Sequence, residues 1–325
     1  MVLRGNEVKI RNSGLGVSES GAARGANTMN ALSKPTRRGL VKWGLAAAGL
    51  PVISQVMGPA AEAQAKPERG SERGGFRIPL SSGVSVYYKE DWLGAPWLDS
   101  DPVVLLHGNL ETNEIWYGWV PRMAQSYRLF RPDLPGFGGS TAPSNFEWSL
   151  ANFAKFVADF LDSLGIQSAH IVGAKTGGAI GMQFAATYPR RTRSVVVASG
   201  PFKALDPKTE QNSQQLRLGS AASKEEIAYF DKMRDDMRPE TKRQMEILLS
   251  AINVENLLPQ ISAPTLIITS DQSALQSVET VLRYQTRIPN SRLLVLTSDA
   301  YHVAVANANE CVTNVLAFYE QVGRA

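Results

Sequence analysis

Ala169-His-Ile-Val-Gly-Ala-Lys-Thr-Gly-Gly-Ala-Ile-Gly-Met-Gln-Phe-Ala185 decides how this chain folds. An apolar run of strand length is followed by a turn with glycine at 173 and 177, then by small residues suited to a closely packed helix. This is the strand–turn–helix frame of a nucleophile elbow, G-x-S-x-G, in which a strained turn holds one side chain above the edge of a sheet. Here the central residue is Lys175, so the frame is kept while the expected serine is replaced by an amine.

Outward from the elbow the elements alternate. Phe76–Leu80 and Val84–Trp92 read as two strands joined by Ser81-Ser82-Gly83. Pro102–Leu106 is a continuous apolar strand of the kind buried on both faces of a parallel sheet. Glu111–Ala124 reads as helix, Tyr127–Arg131 as strand, and Ser149–Leu164 as an amphipathic helix with Phe153, Phe156, Val157 and Phe160 on its apolar side. Strand Ser194–Ala198 follows the elbow helix, and strands near 264–269 and 292–296 precede a closing helix near 308–322. Alternation of this kind predicts a doubly wound, mostly parallel sheet with its site at the carboxyl ends of the strands. The expected parts are a first core segment over 76–200, a small helical lid over 201–260 and a second core segment over 261–325. Phe202, Tyr229, Phe230 and Met233 are candidate pocket residues in the lid region, with core packing as the alternative.

The 325-residue chain carries a net charge of +4, but its basic residues are concentrated at one end. Residues 1–65 hold eight basic against three acidic residues, a surplus of five, which leaves the rest at −1. The basic balance therefore makes no case for a nucleic-acid partner. Thr36-Arg37-Arg38-Gly39-Leu40 precedes a short apolar run and the small-x-small sequence Ala63-Gln64-Ala65, the order of a twin-arginine export signal. Residues 1–65 are thus expected to be a leader to the periplasm, with Met29 as an alternative start, and 66–75 a polar linker. The apolar run is too short and too rich in glycine and proline to span a membrane. The single Cys311 excludes an internal disulfide and is expected to pack in the core.

Several motifs in order resemble the α/β-hydrolase superfamily over roughly residues 76–322. They are Leu105-Leu106-His107-Gly108, Asp133-Leu-Pro-Gly-Phe-Gly-Gly-Ser140, the elbow, Ala263-Pro-Thr-Leu266 and Tyr301-His302. The resemblance implies an α/β-hydrolase fold with a helical lid and chemistry performed by side chains without a cofactor. It implies an oxyanion hole from the backbone N–H groups of Asn109 (or Leu110) and Thr176, and His302 as the catalytic histidine. His107 and His170 match structural positions, and the three histidines lack the carboxylate or cysteine spacing of a metal site. Ser270-Asp271-Gln272-Ser273 aligns with the family's Gly-Asp-x-Asp, so the position of the usual triad acid is Ser273. Asp271 matches the first aspartate and is the carboxylate retained as a candidate. The alternative acid position, Ala198-Ser199-Gly200, offers no carboxylate.

Three readings of Lys175 follow. A neutral amine, its pKa lowered by burial and by the helix N-terminus, forms a Schiff base with a small carbonyl compound while His302 serves as general base. A charged lysine anchors substrate while His302 activates water. A lysine paired with Asp271 or another carboxylate fills the former site and leaves a ligand-binding protein. The loss of the nucleophilic hydroxyl and of the usual acid argues against a conventional serine esterase. Alanine at 169 and 174 also excludes a phosphate-binding loop around Lys175.

Overall fold

The computed structural model describes residues 2–4, 7–9, 68–69, 74–204 and 214–323. The chain divides into two compact units, and the fold below is that of the unit holding Gln64–Ala325; Asn12–Ala63, with the twin arginines, lies outside the described residues.

Eight strands form the body of the sheet: β1 (Phe76–Pro79), β2 (Ser85–Asp91), β3 (Pro102–Leu106), β4 (Arg128–Pro132), β5 (Ala169–Ala174), β6 (Thr192–Ala198), β7 (Thr265–Ser270) and β8 (Ser291–Leu296). Their spatial order is β1-β2-β4-β3-β5-β6-β7-β8, with the short strands Glu68–Arg69 beyond β1 and Val2–Arg4 and Glu7–Lys9 beyond β8. Strands β3 to β8 pair in parallel, while β2 runs against both β1 and β4. Parallel pairing requires crossovers, and helices supply them on both faces.

The period-two alternation of the central strands divides the core. Val104, Leu106, Ile171, Val195 and Val197 point to one face, where they meet α1 (Leu150–Ser163), α2 (Thr176–Thr187) and α5 (Val278–Gln285). Val103, Leu105, Val172, Val196 and Ala198 point to the other, against α6 (Ala308–Val322) and the perpendicular indoles of Trp116 and Trp119. Helix α1 begins where Ser149 accepts from Asn152 N at 3.2 Å, a cap that contributes about 1 kcal/mol. Cys311 is buried in the second layer, as its position on an amphipathic helix predicts.

Between β6 and β7 the chain leaves the sheet. Ser223 and Glu226 form a reciprocal capping box that starts α3 (Lys224–Asp235), and α4 (Pro239–Ala251) follows. The excursion closes on itself at its base: Val254 N donates to Phe202 O at 2.9 Å and Ala204 N to Ile252 O at 2.7 Å. Phe202 is a core residue, stacked on Tyr284 at 4.7 Å, so only part of the aromatic set expected in a pocket faces one.

One expected helix is corrected. The stretch Glu111–Ala124 is a 3₁₀ segment, Asn113–Gly118, followed by a single α-turn, Val120–Met123. The break comes where Gly118 passes so close to Ala308 that a Cβ there would lie 2.7 Å from it. Glu111 lies ahead of both segments, in a buried turn rather than on a helix surface.

Candidate functional site

The elbow geometry is carried by glycine. Lys175 has φ 51° and ψ −122°, a conformation that costs a non-glycine residue of order 1–3 kcal/mol. Its N–H donates to Ala198 O at 3.0 Å and its carbonyl accepts from Gly178 N at 2.9 Å, which holds the turn against β6 and the first turn of α2. A Cβ on Gly173 would run into the backbone of Gly177, and one on Gly177 would collide with the carbonyl oxygen of Leu106. The two glycines therefore let strand and helix cross at the distance that puts residue 175 over the sheet.

The side chain of Lys175 then runs across the turn after β3. A Cβ on Gly108 would sit 2.8 Å from Lys175 Cβ and 2.9 Å from its Cε, so the lysine stem lies flat on that glycine. Beyond it, Nζ contacts Asn109 O at 3.4 Å and makes a close ion pair with Glu111 Oε1. The same Oε1 is 2.8 Å from His302 Nε2, while Glu111 Oε2 accepts from Gly108 N at 3.0 Å. Leu110, with φ 60°, turns the chain sharply enough to aim the Glu111 carboxylate back at the elbow. Lys175, Glu111 and His302 are 7%, 2% and 1% exposed, so the cluster is buried, with the lysine the most accessible of the three.

Burial pushes the Glu111 carboxyl up, but the charges of His302 and Lys175 and their hydrogen bonds more than reverse this, and it stays ionised well below the usual range. Burial depresses Lys175; Glu111 opposes that and the nearby Arg217 charge adds to it, leaving the amine below its ordinary value. His302 is lowered likewise, by burial first, with Glu111 opposing and Lys175 and Arg217 reinforcing. One carboxylate oxygen thus faces two weakened bases that compete for it, and the three groups titrate together.

Nε2 of His302 lies 2.8 Å from Glu111 Oε1, a contact that is an ion pair only while the ring is protonated, which its lowered pKa opposes. Nδ1, the ring nitrogen that a triad acid would orient, is buried with no partner among the described residues. His302 is placed by its backbone N–H, which donates to Arg217 O at 2.7 Å, and by Phe230, whose ring stands edge-on at 6.1 Å.

The other sequence candidates separate clearly. Asp271 is not brought to His302: it is exposed, and its Oδ1 accepts from Ser298 N at 3.1 Å, closing the β7–β8 loops. Thr176 opens α2, so its N–H has no acceptor within the helix, and Asn109 lies in the turn facing it, with Lys175 stretched between. His107 is structural, accepting from Leu134 N at 2.9 Å through Nε2 while its Nδ1 is 2.8 Å from Gly108 O. His170 is structural as well, with Nδ1 2.7 Å from Ser194 Oγ and its ring stacked on Tyr319, and burial lowers its pKa to about 4. Among the described residues no group of three or more histidine, cysteine or acidic side chains is placed to hold a metal ion.

Glu111 is the site residue that sequence reasoning missed. An acidic residue at the apparent start of a helix is ordinary, since it complements the helix dipole. The signal was indirect: a lysine buried at the elbow needs a carboxylate, and the turn after β3 is the nearest segment able to supply one.

Comparison with known proteins agrees with this architecture. Residues 101–232 match the alpha/beta hydrolase fold family. The pimeloyl-[acyl-carrier protein] methyl ester esterase of Aeromonas hydrophila is 30% identical over 223 residues, covering 60% of this chain and 85% of that protein. An uncharacterized carboxylesterase, nap, of Bacillus subtilis is 29% identical over 138 residues; the match spans 42% of this chain and less than half, 45%, of that one. Among solved structures, the enol-lactonase from Burkholderia xenovorans superposes with a TM-score of 0.66 at 18% identity, over 75% of this chain and 99% of its own. With its strand order, its glycine-framed elbow and a relative matched over most of its length, the chain belongs to the α/β-hydrolase fold family.

Proposed function

We propose that the protein acts on a small aldehyde or ketone through an imine formed at Lys175, with Glu111 and His302 moving the protons. The observation that carries this is the buried Glu111 carboxylate, which touches both the elbow amine and the histidine. Ester hydrolysis through Lys175 is disfavoured by chemistry: an acyl-lysine is an amide, far slower to hydrolyse than the ester that made it. An imine has no such dead end.

Glu111 or His302 accepts a proton from the Lys175 ammonium, and the amine lone pair forms a C–N bond to the carbonyl carbon. The carbonyl oxygen takes up that proton. The nitrogen then gives a second proton to the same base, and its return to the hydroxyl expels water and leaves an iminium. An adjacent C–C bond can then break, its electron pair forming an enamine; the enamine takes a proton at carbon from Glu111 or His302, and water adds to the resulting iminium to release product and amine. Retro-aldol cleavage and decarboxylation both fit this scheme.

Borohydride reduction in the presence of small aldehydes and ketones, read by peptide mass spectrometry, tests the reading. Substrate-dependent modification of Lys175 that disappears in Lys175→Arg is the expected result. Absence of any adduct in folded protein would overturn it.

A second reading rests on the buried ion pair itself. Lys175 stays charged, anchors a substrate oxygen, and His302 activates water for hydrolysis without a covalent intermediate; turnover of esters lost mainly in His302→Ala, with no trapped adduct, would select it. A binding protein with no turnover is the outcome if both tests are negative.

We further propose that the protein is exported through the twin-arginine route to the periplasm, supported by Arg37-Arg38 and the segment that follows. Retention inside the cell after Arg37→Lys with Arg38→Lys is the expected result.

A further inference from the structure

A cavity of about 420 Å³ lies between the lid helices and the core, large enough for a small-molecule ligand. Thr112 and Glu114 line it on the core side and Tyr229, Met233, Met237 and Arg238 on the lid side. None of the three clustered site groups is among them. The cavity nevertheless begins one residue from Glu111, at Thr112, whose hydroxyl rests 3.9 Å from the sulfur of Met233.

The lining has one unbalanced charge. Glu114 pairs with Lys89 at 2.7 Å, and Lys232 pairs with Asp236 at 2.7 Å. Arg238 shares the lining with those two carboxylates, each already paired, and makes no ion pair of its own among the described residues. Its guanidinium is nonetheless fixed in place: Nε donates to Gly136 O at 3.2 Å and Nη2 to Ser140 O at 2.7 Å. Held at two corners by the loop after β4, the fork has donors left over for an anion, the arrangement suited to a carboxylate. Between Arg238 and Thr112 the wall is Tyr229, Met233 and Met237, apolar surface with adaptable thioethers.

We infer that the substrate is an oxo acid, its carboxylate held by Arg238, its apolar spacer lying on Met233 and Met237, and its carbonyl directed past Thr112 to Lys175. The inference rests on the carbonyl reading above, and it names a specificity residue that the reaction centre does not contain. A neutral ketone of the same length makes the apolar contacts alone.

Levulinate and its methyl ester, matched in length and differing in charge, are the probes. Half-saturation for borohydride trapping at Lys175 is measured in wild type, Arg238→Gln and Arg238→Lys, alongside calorimetric binding of levulinate without borohydride. The expected result is a preference for levulinate of about tenfold or more in wild type, the scale of one charge-assisted hydrogen bond. That ratio should fall toward one in Arg238→Gln and stay intermediate in Arg238→Lys, which keeps charge but loses the fork. Trapping with no preference, or a preference indifferent to Arg238, would overturn the oxo-acid inference and leave the lysine reading standing. Arg238-dependent calorimetric binding without trapping would sustain the anion site and remove the lysine reading. Neither binding nor trapping would overturn both.

Discussion

Replacing Glu111 with glutamine isolates what the carboxylate does for its two neighbours. The amide has nearly the same shape and can still meet Gly108 N, but the ammonium of Lys175 loses its counter-charge in a site 7% exposed. Removing one partner of a buried ion pair costs roughly 3–5 kcal/mol when the other charge stays. A ceiling applies here, because the lysine can discharge. A group that ordinarily keeps its proton up to pH 10.5 gives it up at pH 7 at a cost of about 5 kcal/mol, at ~1.4 kcal/mol per pH unit. The variant should therefore be less stable than wild type by about 3–5 kcal/mol at pH 7. The sign of the pH dependence follows from linkage. With its folded pKa depressed below 10.5, Lys175 binds fewer protons folded than unfolded, so the stability of the variant rises with pH between those two values. Urea denaturation of wild type and Glu111→Gln from pH 6 to pH 10 measures it. A variant within about 0.5 kcal/mol of wild type at pH 7, or a deficit that widens as pH rises, would refute the claim that Glu111 neutralises a buried ammonium.

Other outcomes follow from the same geometry. Gly177→Ala should abolish folding or leave only unfolded material on a thermal scan, since its methyl would collide with Leu106 O. Gly165→Ala, with φ 70° and nothing within 4 Å, should cost only about 1 kcal/mol of backbone strain in the same assay. Cys311, whose thiol burial pushes far above its ordinary pKa, should resist alkylation by iodoacetamide until denaturant is added. In acid, the stabilisation from Glu111 should persist down through pH 4.5 and be lost only below it, because its folded pKa is depressed. Lys175→Met, which removes one of the two opposing charges, should move that loss to higher pH in a pH titration followed by circular dichroism.

Most of the sheet was legible because its signals are local. Val103–Leu106 and Ile171–Val172 are apolar runs with no polar interruption, and glycine at 173 and 177 marks a crossing that other residues do not permit. Lys175 and His302 were legible for the same reason, each sitting in a short motif. Glu111 was not, because what makes it a site residue is a left-handed Leu110 and a lysine 64 positions away, and neither leaves a mark on its own neighbourhood. Asp271 failed in the opposite way: the motif was present, yet the second carboxylate that would have faced the histidine is Ser273, and the first only closes a loop. The broken helix after Glu111 shows a similar limit, since Gly118, where it breaks, lies too close to Ala308 of a distant helix to carry a side chain.

The turn at Lys175 has a consequence for how such proteins diversify. Its steric demands fall on Gly173 and Gly177, and its dihedral strain is much the same for any side chain with a Cβ. Exchanging a hydroxyl, a carboxylate or an amine at position 175 therefore alters the reactive group with little extra burden on the backbone. What must change with it is the company it keeps, and here that is a single acid on the facing turn. Changing the reactive group at position 175 therefore calls for a matching change at residue 111, since either change alone leaves one buried group without its partner.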